Sequence, residues 1–370
     1  MGDVRLGLIG CGKVVEVFHL PALAALEGVR VVAVMDTDPS RADAVGAALG
    51  LPPGRRLADH RRLLDLPDID AVSIGTPPAS HREIAVDAAA SGRHIICEKP
   101  MAVSVADADA MIAAARRAGV LLSLHHNYLW FPENRAAQEV IAGGRLGRLV
   151  FSVIDCLGLP YFGGRWRLHD PHVSGGGILL DMLHLIYLTN AFHDGLPRRV
   201  DARIARIREE PIRVEDFATV RLEYPGGGLG QVNVSWGLGW GGTRLMGTRG
   251  RLIYHYRHFT TVNYERPDAL RLITAEGEVD VPFPPAPPFS AGPFRQFVEA
   301  VRGARPLEVT GEDGRTAVEV ALAGYRAAAL GEPTDLPLPP EDPVYIHGVA
   351  GLHRVAGAAP AVVDLFGPRV

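Results

Sequence analysis

Short apolar runs and stretches of helical spacing alternate through the first 124 residues. The runs are Val4 to Ile9, Val29 to Met35, Ala71 to Ile74, His94 to Cys97 and Val120 to Leu124. Runs this apolar suit strands buried on both faces of a parallel sheet. Between them, Ser80-His81-Arg82-Glu83 reads as a helix-opening capping box with Gly92 as the stop. Ser104 opens a further helix that Gly119 ends. Strand–helix repetition of this kind predicts a doubly wound parallel sheet, the α/β architecture of dinucleotide-binding domains, over residues 1–124.

After residue 125 the pattern changes. Helices are predicted over Glu133 to Ala142, after the Gly175-Gly176-Gly177 run, over Gly292 to Val301 and over Arg315 to Ala329. Alternating stretches occupy Val200 to Ile207, Phe217 to Tyr224, Gly230 to Trp236, Arg251 to Tyr256 and Glu278 to Phe283. Joined by Gly and Pro turns, they predict a large open, mostly antiparallel sheet. Residues 125–336 then form an α+β substrate domain, and 337–370 a C-terminal extension without an assigned role.

The 370-residue length agrees with about two domains. A net charge of −4, with no block of Lys and Arg, speaks against nucleic acid and anionic membranes as partners. No apolar run approaches the ~18 residues of a membrane span, and no leader peptide is expected at the N-terminus. Cys11, Cys97 and Cys156 lie far apart, which indicates neither a disulfide framework nor a zinc ribbon and suits a reducing cytoplasm.

Candidate chemistry begins at Gly10-Cys11-Gly12, between the first strand and a helix. The first glycine permits the tight turn, and the second lets a pyrophosphate approach backbone N–H groups at the helix start. The third position of the fingerprint holds Val15, which implies looser helix–strand packing. Asp36 ends the second strand, where a carboxylate accepts from the ribose hydroxyls and repels a 2′-phosphate, favouring NAD over NADP. Thr76, Pro77 and His81 follow a central strand and are placed to line the cofactor.

At Cys97-Glu98-Lys99-Pro100 the sequence resembles the Gfo/Idh/MocA oxidoreductases, the glucose-fructose oxidoreductase and inositol dehydrogenase group. The likeness runs from residue 4 to about 336. Its anchors are GCG at 10–12, HLPAL at 19–23, TPPASH at 76–81, CEKP at 97–100, WR at 166–167, SGGGILLDMLH at 174–184 and GEDGRTAVEVALAGYRAA at 311–328. The resemblance implies an NAD-dependent enzyme acting on a polyol, with Lys99, Asp181 and His184 as its catalytic residues. It implies cofactor contacts from Gly10, Gly12, Lys13, Val14, Asp36, Thr76, Pro77, His81, Glu98 and Lys99, with Glu98 on the nicotinamide ribose and a cis bond before Pro100. It implies a homodimer or homotetramer paired through the open sheet, whose outer face is expected to be alternately apolar.

Two departures stand out. The family's Asp and His are four apart, whereas Asp181 and His184 are three apart and Leu185 occupies the ungapped position. On one continuous helix both spacings share a face. Many relatives also carry an Arg where Leu129 stands, which disfavours a substrate anchored there by a carboxylate.

Oxidising a secondary alcohol requires a base for the hydroxyl proton, and His184 suits that task because histidine titrates near neutrality. Lys99 would stabilise negative charge on the reacting oxygen, and Asp181 would fix geometry. Asn127, Trp166, Arg167 and His169 are substrate-side candidates, and Gly175 to Gly177 mark a close approach of backbone to ligand. No metal is required, because the nicotinamide carries the redox chemistry. Two alternatives remain open: an enzyme that uses bound NAD to cleave or eliminate without net redox, and a non-catalytic nucleotide sensor.

Overall fold

The structure, a computed structural model, describes residues 2–158, 166–256 and 267–367. Six parallel strands form the first sheet: β1 (Val4–Ile9), β2 (Val29–Met35), β3 (Arg56–Leu57), β4 (Ala71–Ile74), β5 (His94–Cys97) and β6 (Leu122–Leu124). Their spatial order is β3-β2-β1-β4-β5-β6, the doubly wound arrangement with its reversal between β1 and β4. Every residue of β4 is buried, as the unbroken apolar run required. The helix Val105–Ala118 opens on Ser104, whose side chain accepts from the Asp107 N–H, and ends on Gly119 at φ 66°. The expected capping box at Ser80 does not form. The Ser80 hydroxyl instead lies 2.8 Å from the Thr76 hydroxyl and 2.7 Å from the Pro77 carbonyl, tying down the preceding turn.

Nine strands among the described residues form the second sheet: β7 (Leu149–Cys156), β8 (Arg199–Ala205), β9 (Phe217–Glu223), β10 (Leu229–Ser235), β11 (Gly241–Gly247), β12 (Gly250–Tyr256), β13 (Leu270–Thr274), β14 (Gly277–Val281) and β15 (Thr334–Asp335). The order is β14-β13-β12-β11-β7-β10-β9-β8-β15, and β7–β10 is its parallel pair. One face buries Val200, Val220, Val232, Ile154, Leu245 and Leu252. The other is more polar than expected. Arg221 pairs with Asp201, Thr219 bonds Asn233, and Asn233 and Arg244 both donate to Asp155, so a polar ladder crosses the strands.

Two compact units emerge, 1–127 with 287–316, and 128–286 with 317–370. This redraws the division at 124 and 336. The helix Ala291–Val301 carries Ala291, Phe294, Phe297 and Val298 into the same apolar cluster as Val4, Leu6, Leu8 and Val15. The terminal extension is no separate piece, since Leu338, Val344, Leu352 and Phe366 are buried within the second unit. No helix among the described residues is long and apolar enough to cross a membrane. Cys11, Cys97 and Cys156 are free, buried thiols.

Candidate functional site

The first unit supplies the candidate cofactor residues. Gly10 adopts φ 95°, and a Cβ there would lie 2.7 Å from the Gly75 carbonyl oxygen, so only glycine fits. A Cβ at Gly12 would have no neighbour within 4 Å, which leaves its backbone open to a bulky anionic group. The loop is pinned to the end of β2. The Cys11 N–H donates to one Asp36 carboxylate oxygen at 2.8 Å, the Asp38 N–H donates to the other at 2.9 Å, and the Gly10 N–H donates to the Met35 carbonyl at 2.7 Å. Each Asp36 oxygen keeps a lone pair for a ribose hydroxyl. These features fit a dinucleotide.

Val15 does not loosen the packing as expected. It is buried at 1% exposure, and the missing space comes from the opposite side: a Cβ on Gly75 would sit 2.9 Å from Val15 Cγ2. The glycine requirement has moved from the helix to the end of β4. The chain then enters a π-helical turn over Val15–His19, which delivers His19 into the interior. Gly75→Ala should therefore overpack the turn and destabilise the protein by about 1–3 kcal/mol. Adding Val15→Ala should recover part of that loss, and denaturant midpoints of the single and double variants would show it. Strict additivity would contradict the exchange of space.

Glu98 is held on both oxygens. His19 Nε2 lies 2.8 Å from one, and the Lys99 N–H donates to the other at 3.0 Å. Burial pushes the carboxyl up, but the His19 hydrogen bond and the nearby charges, Lys99 among them, hold it at about 2. Lys99 is half-buried, and the expected cis bond joins it to Pro100. His81, an expected cofactor residue, has both ring nitrogens near backbone carbonyls. It is fully buried, with Nε2 2.8 Å from the Thr76 carbonyl and Nδ1 3.0 Å from the Pro100 carbonyl. Burial lowers its pKa, so the neutral ring donates from one nitrogen only, and it packs between the Thr76 turn and the Lys99–Pro100 segment.

His125 and His126 are buried beside this segment, His125 stacking on His19 at 4.5 Å and 20°. His19, Glu98 and His125 bring ligand-type atoms within 4.8 Å of one another. Two rings stacked face to face cannot aim their lone pairs at one ion, so this is a poor metal site. Burial pushes both His125 and His126 down to about 3, keeping them neutral near pH 7. The unfolded chain takes up these protons near pH 6.5 and the folded chain only near 3. Stability thus rises with pH across that window and is lost as pH falls through it, by up to about 1.4 kcal/mol per pH unit for each histidine. Melting temperatures from pH 7 to 4 should fall steeply in the wild type and less steeply in His125→Gln. Equal slopes would contradict this origin.

The second unit holds the acid–base candidates. Asp181 closes a four-residue helix, Ile178–Asp181, and His184 lies in the first turn of the next, Leu183–Phe192. Met182, at φ −101° and ψ 21°, breaks them apart. Asp181 and His184 therefore do not lie on one continuous helix. Arg167 donates to Asp181 at 2.6 Å, with both side chains mostly buried, so this guanidinium serves the carboxylate. His184 is 4% exposed and stacks on Tyr128 at 4.9 Å and 23°. Leu129 is buried, and His169 is half-buried. Asn127, the last residue of the first unit before 287, is 4% exposed. The Trp166 side chain lies outside the described residues.

The glycine run approaches protein. A Cβ on Gly176 would collide with the Tyr325 hydroxyl, and one on Gly177 with Glu215. Burial pushes the Glu215 carboxyl up to about 7, while bonds from Tyr325, Leu179 and Gly177 pull it down. Sequence reasoning missed His19, Tyr128, Glu215 and Tyr325. The available signal was faint: Glu215-Asp216 is an acidic pair flanked by Val214 and Phe217, an apolar frame unusual for solvated acids.

Comparison with known proteins bears on the same segments. Residues 4–126 match the family model described as an oxidoreductase family with an NAD-binding Rossmann fold, and residues 134–253 match the GFO/IDH/MocA C-terminal domain. The 1,5-anhydro-D-fructose reductase of Ensifer adhaerens is 31% identical over 341 residues, covering 90% of this chain and 98% of that protein. An aldose-aldose oxidoreductase from Caulobacter crescentus, solved with glycerol, superposes with a TM-score of 0.81 at 27% identity, over 90% of this chain and 100% of that one. The WlbA dehydrogenase of Bordetella pertussis, solved with NADH and UDP-GlcNAcA, gives 0.77 at 26% identity, over 91% and 100%.

Proposed function

The chain belongs to the Gfo/Idh/MocA oxidoreductase family, and from that membership we propose that it moves a hydride between a nicotinamide ring and a secondary-alcohol or ketone carbon of a sugar or cyclitol. The observation that carries the reading is the pinned loop: Cys11 and Asp38 both donate to Asp36, which fixes the acid beside the glycine turn. That carboxylate would accept from an unmodified ribose and repel a 2′-phosphate, which supports NAD over NADP.

A nicotinamide, when bound, would supply the redox chemistry. The protein's task is then to bind, orient and move one proton. Gly10, Gly12, Lys13 and Val14 would receive the pyrophosphate at the helix start, and Thr76, Pro77 and Glu98 would flank the nicotinamide half. Lys99 places an ammonium against the reacting oxygen and stabilises the negative charge that grows there as the hydroxyl proton departs. His184 takes that proton, or returns it in the reductive direction. Asp181, oriented by Arg167, holds the substrate hydroxyl in line. Asn127, Trp166 and His169 contribute to the sugar side.

The test is spectrophotometric. Purified protein is mixed with NAD or NADH and a panel containing 1,5-anhydro-D-fructose, common aldoses and myo-inositol. At least one sugar should change the NADH absorbance, with kcat/KM at least about tenfold higher for the cofactor lacking the 2′-phosphate. No absorbance change with any sugar, from protein that binds NADH, would sink the reading.

The free buried thiols and sugar chemistry suit a cytoplasmic enzyme. A homodimer or homotetramer covers the outer face of the second sheet, where Leu229 and Trp240 are 47% and 42% exposed beside the polar ladder. Sedimentation at micromolar concentration should give a dimer or tetramer mass, and Arg244→Glu, which reverses a charge on that face, should shift it toward monomer. A monomer in the wild type would contradict the assembly.

A further inference from the structure

We infer that Glu215 is a positioning residue, a buried carboxylate that gathers the amides at the start of the short helix ending in Asp181 and so sets where Asp181 points. The inference rests on the hydride-transfer reading, in which Asp181 serves the reacting alcohol.

A helix start leaves N–H groups without partners inside the helix. A local capping side chain ordinarily takes one of them, but the residue before Ile178–Asp181 is Gly177, which has none. Glu215 acts from a distance. One carboxylate oxygen accepts from the Leu179 N–H at 3.0 Å, the other from the Gly177 N–H at 3.1 Å, and its backbone carbonyl accepts from the Ile178 N–H at 3.1 Å. Three consecutive amides thus end on one residue. A single helical turn cannot sustain itself, because few internal bonds offset the conformational entropy of forming it. The position of Asp181 is therefore imposed from outside the turn.

The same strand approach also holds the other partner of the ion pair. Two residues before Glu215, the Arg213 N–H donates to the Leu168 carbonyl at 2.8 Å, in the turn that carries Arg167. Residues 213 to 215 therefore fix both sides of the 2.6 Å Arg167–Asp181 contact. The clamp is closed from behind by Tyr325, whose hydroxyl donates to Glu215 at 2.6 Å. The Tyr325 ring meets Phe366 edge-on at 5.2 Å, and His172 Nε2 lies 3.1 Å from the Gly367 carbonyl. The C-terminal extension thereby gains a role as the outer wall of the clamp. Three donors, the Gly177 and Leu179 N–H groups and the Tyr325 hydroxyl, converge on the carboxyl group, and a glutamine would turn its NH2 toward one of them.

The experiment compares Glu215→Gln and Tyr325→Phe with the wild type, by amide hydrogen exchange and by kinetics on the sugar that turns over. In Glu215→Gln, exchange at Gly177 and Leu179 should quicken by about tenfold or more, and kcat should fall about 10- to 100-fold through misplacement. KM and NADH affinity should stay within about threefold, and the primary isotope effect with NADH deuterated at C4 should rise, because hydride transfer becomes slower relative to release. A merely unstable protein would lose active enzyme without changing that isotope effect. Tyr325→Phe keeps the ring against Phe366 and should show the same changes at about a few-fold. Unchanged exchange at residues 177 and 179, or kcat within twofold in folded Glu215→Gln, would overturn the inference. If Glu215→Gln does not fold, unchanged exchange and kcat in Tyr325→Phe overturn it instead. A wild type that turns over no sugar counts against the functional reading, and the exchange data alone then decide the role of Glu215.

Discussion

Replacing Lys99 with methionine should lower kcat by about 100- to 1,000-fold while NADH still binds within a few-fold of the wild type. Methionine preserves most of the side chain's length and removes only the charge. The lysine follows β5 and precedes the cis Pro100, and that segment is held by the Lys99 N–H on Glu98 and by the buried His81 ring, which lies against the Thr76 and Pro100 carbonyls and donates to one of them. An ammonium set on so constrained a backbone needs little reorganisation as charge develops on the substrate oxygen, which is where such a group contributes most. The loss should therefore appear in kcat rather than in KM. Lys99→Arg should recover little, because the guanidinium is wider and its charge more spread. A Lys99→Met enzyme retaining more than a tenth of wild-type kcat would remove the lysine from the chemistry.

His184→Asn is expected to reduce kcat by about 100- to 10,000-fold, the usual worth of a positioned base. It should also abolish the limb of the pH–rate profile that reports the proton acceptor. His184 is nearly enclosed and rests on the Tyr128 ring at 4.9 Å, so asparagine preserves hydrogen-bonding capacity at similar volume without titrating. Tyr128→Phe, which retains the stack, should leave kcat within a few-fold, and Tyr128→Ala should lower it without removing the pH limb. If His184→Asn retains both rate and limb, the proton passes through another group.

Much of the first unit was legible because its strands are buried on both faces. Val4–Ile9, Val29–Met35, Ala71–Ile74 and His94–Cys97 read as strands from their apolar runs alone. The second sheet was harder. β11, GGTRLMG, is a central strand paired on both edges, yet its glycines imitate a turn. β7, LVFSVIDC, lies in the middle of the sheet with an acid near its end, and that acid is part of the cross-strand ladder with Asn233 and Arg244.

The site divides along similar lines. Asp36 was legible because its partner is the glycine loop immediately before it in the fold's logic. The meaning of Gly175 to Gly177 was not. The glycines are visible in sequence, but what they approach, Glu215 and Tyr325, comes from far along the chain. Periodicity likewise marked 292–301 as a helix with one apolar face, but it cannot state which core receives that face. The three-residue spacing of Asp181 and His184 looked like a shift along one helix. Met182 breaks that helix, and each side chain is placed by its own contact, Arg167 for the acid and Tyr128 for the histidine.

Hydride transfer itself is open to a direct measurement. The wild-type protein is incubated with NADH carrying deuterium at both C4 positions and with the ketone form of whichever sugar responds, and the product is examined by mass spectrometry. One deuterium on the newly formed carbinol carbon is the expected result, with the other kept at C4 of the oxidised cofactor. Product that forms without deuterium, or cofactor that keeps both labels throughout turnover, would contradict the account.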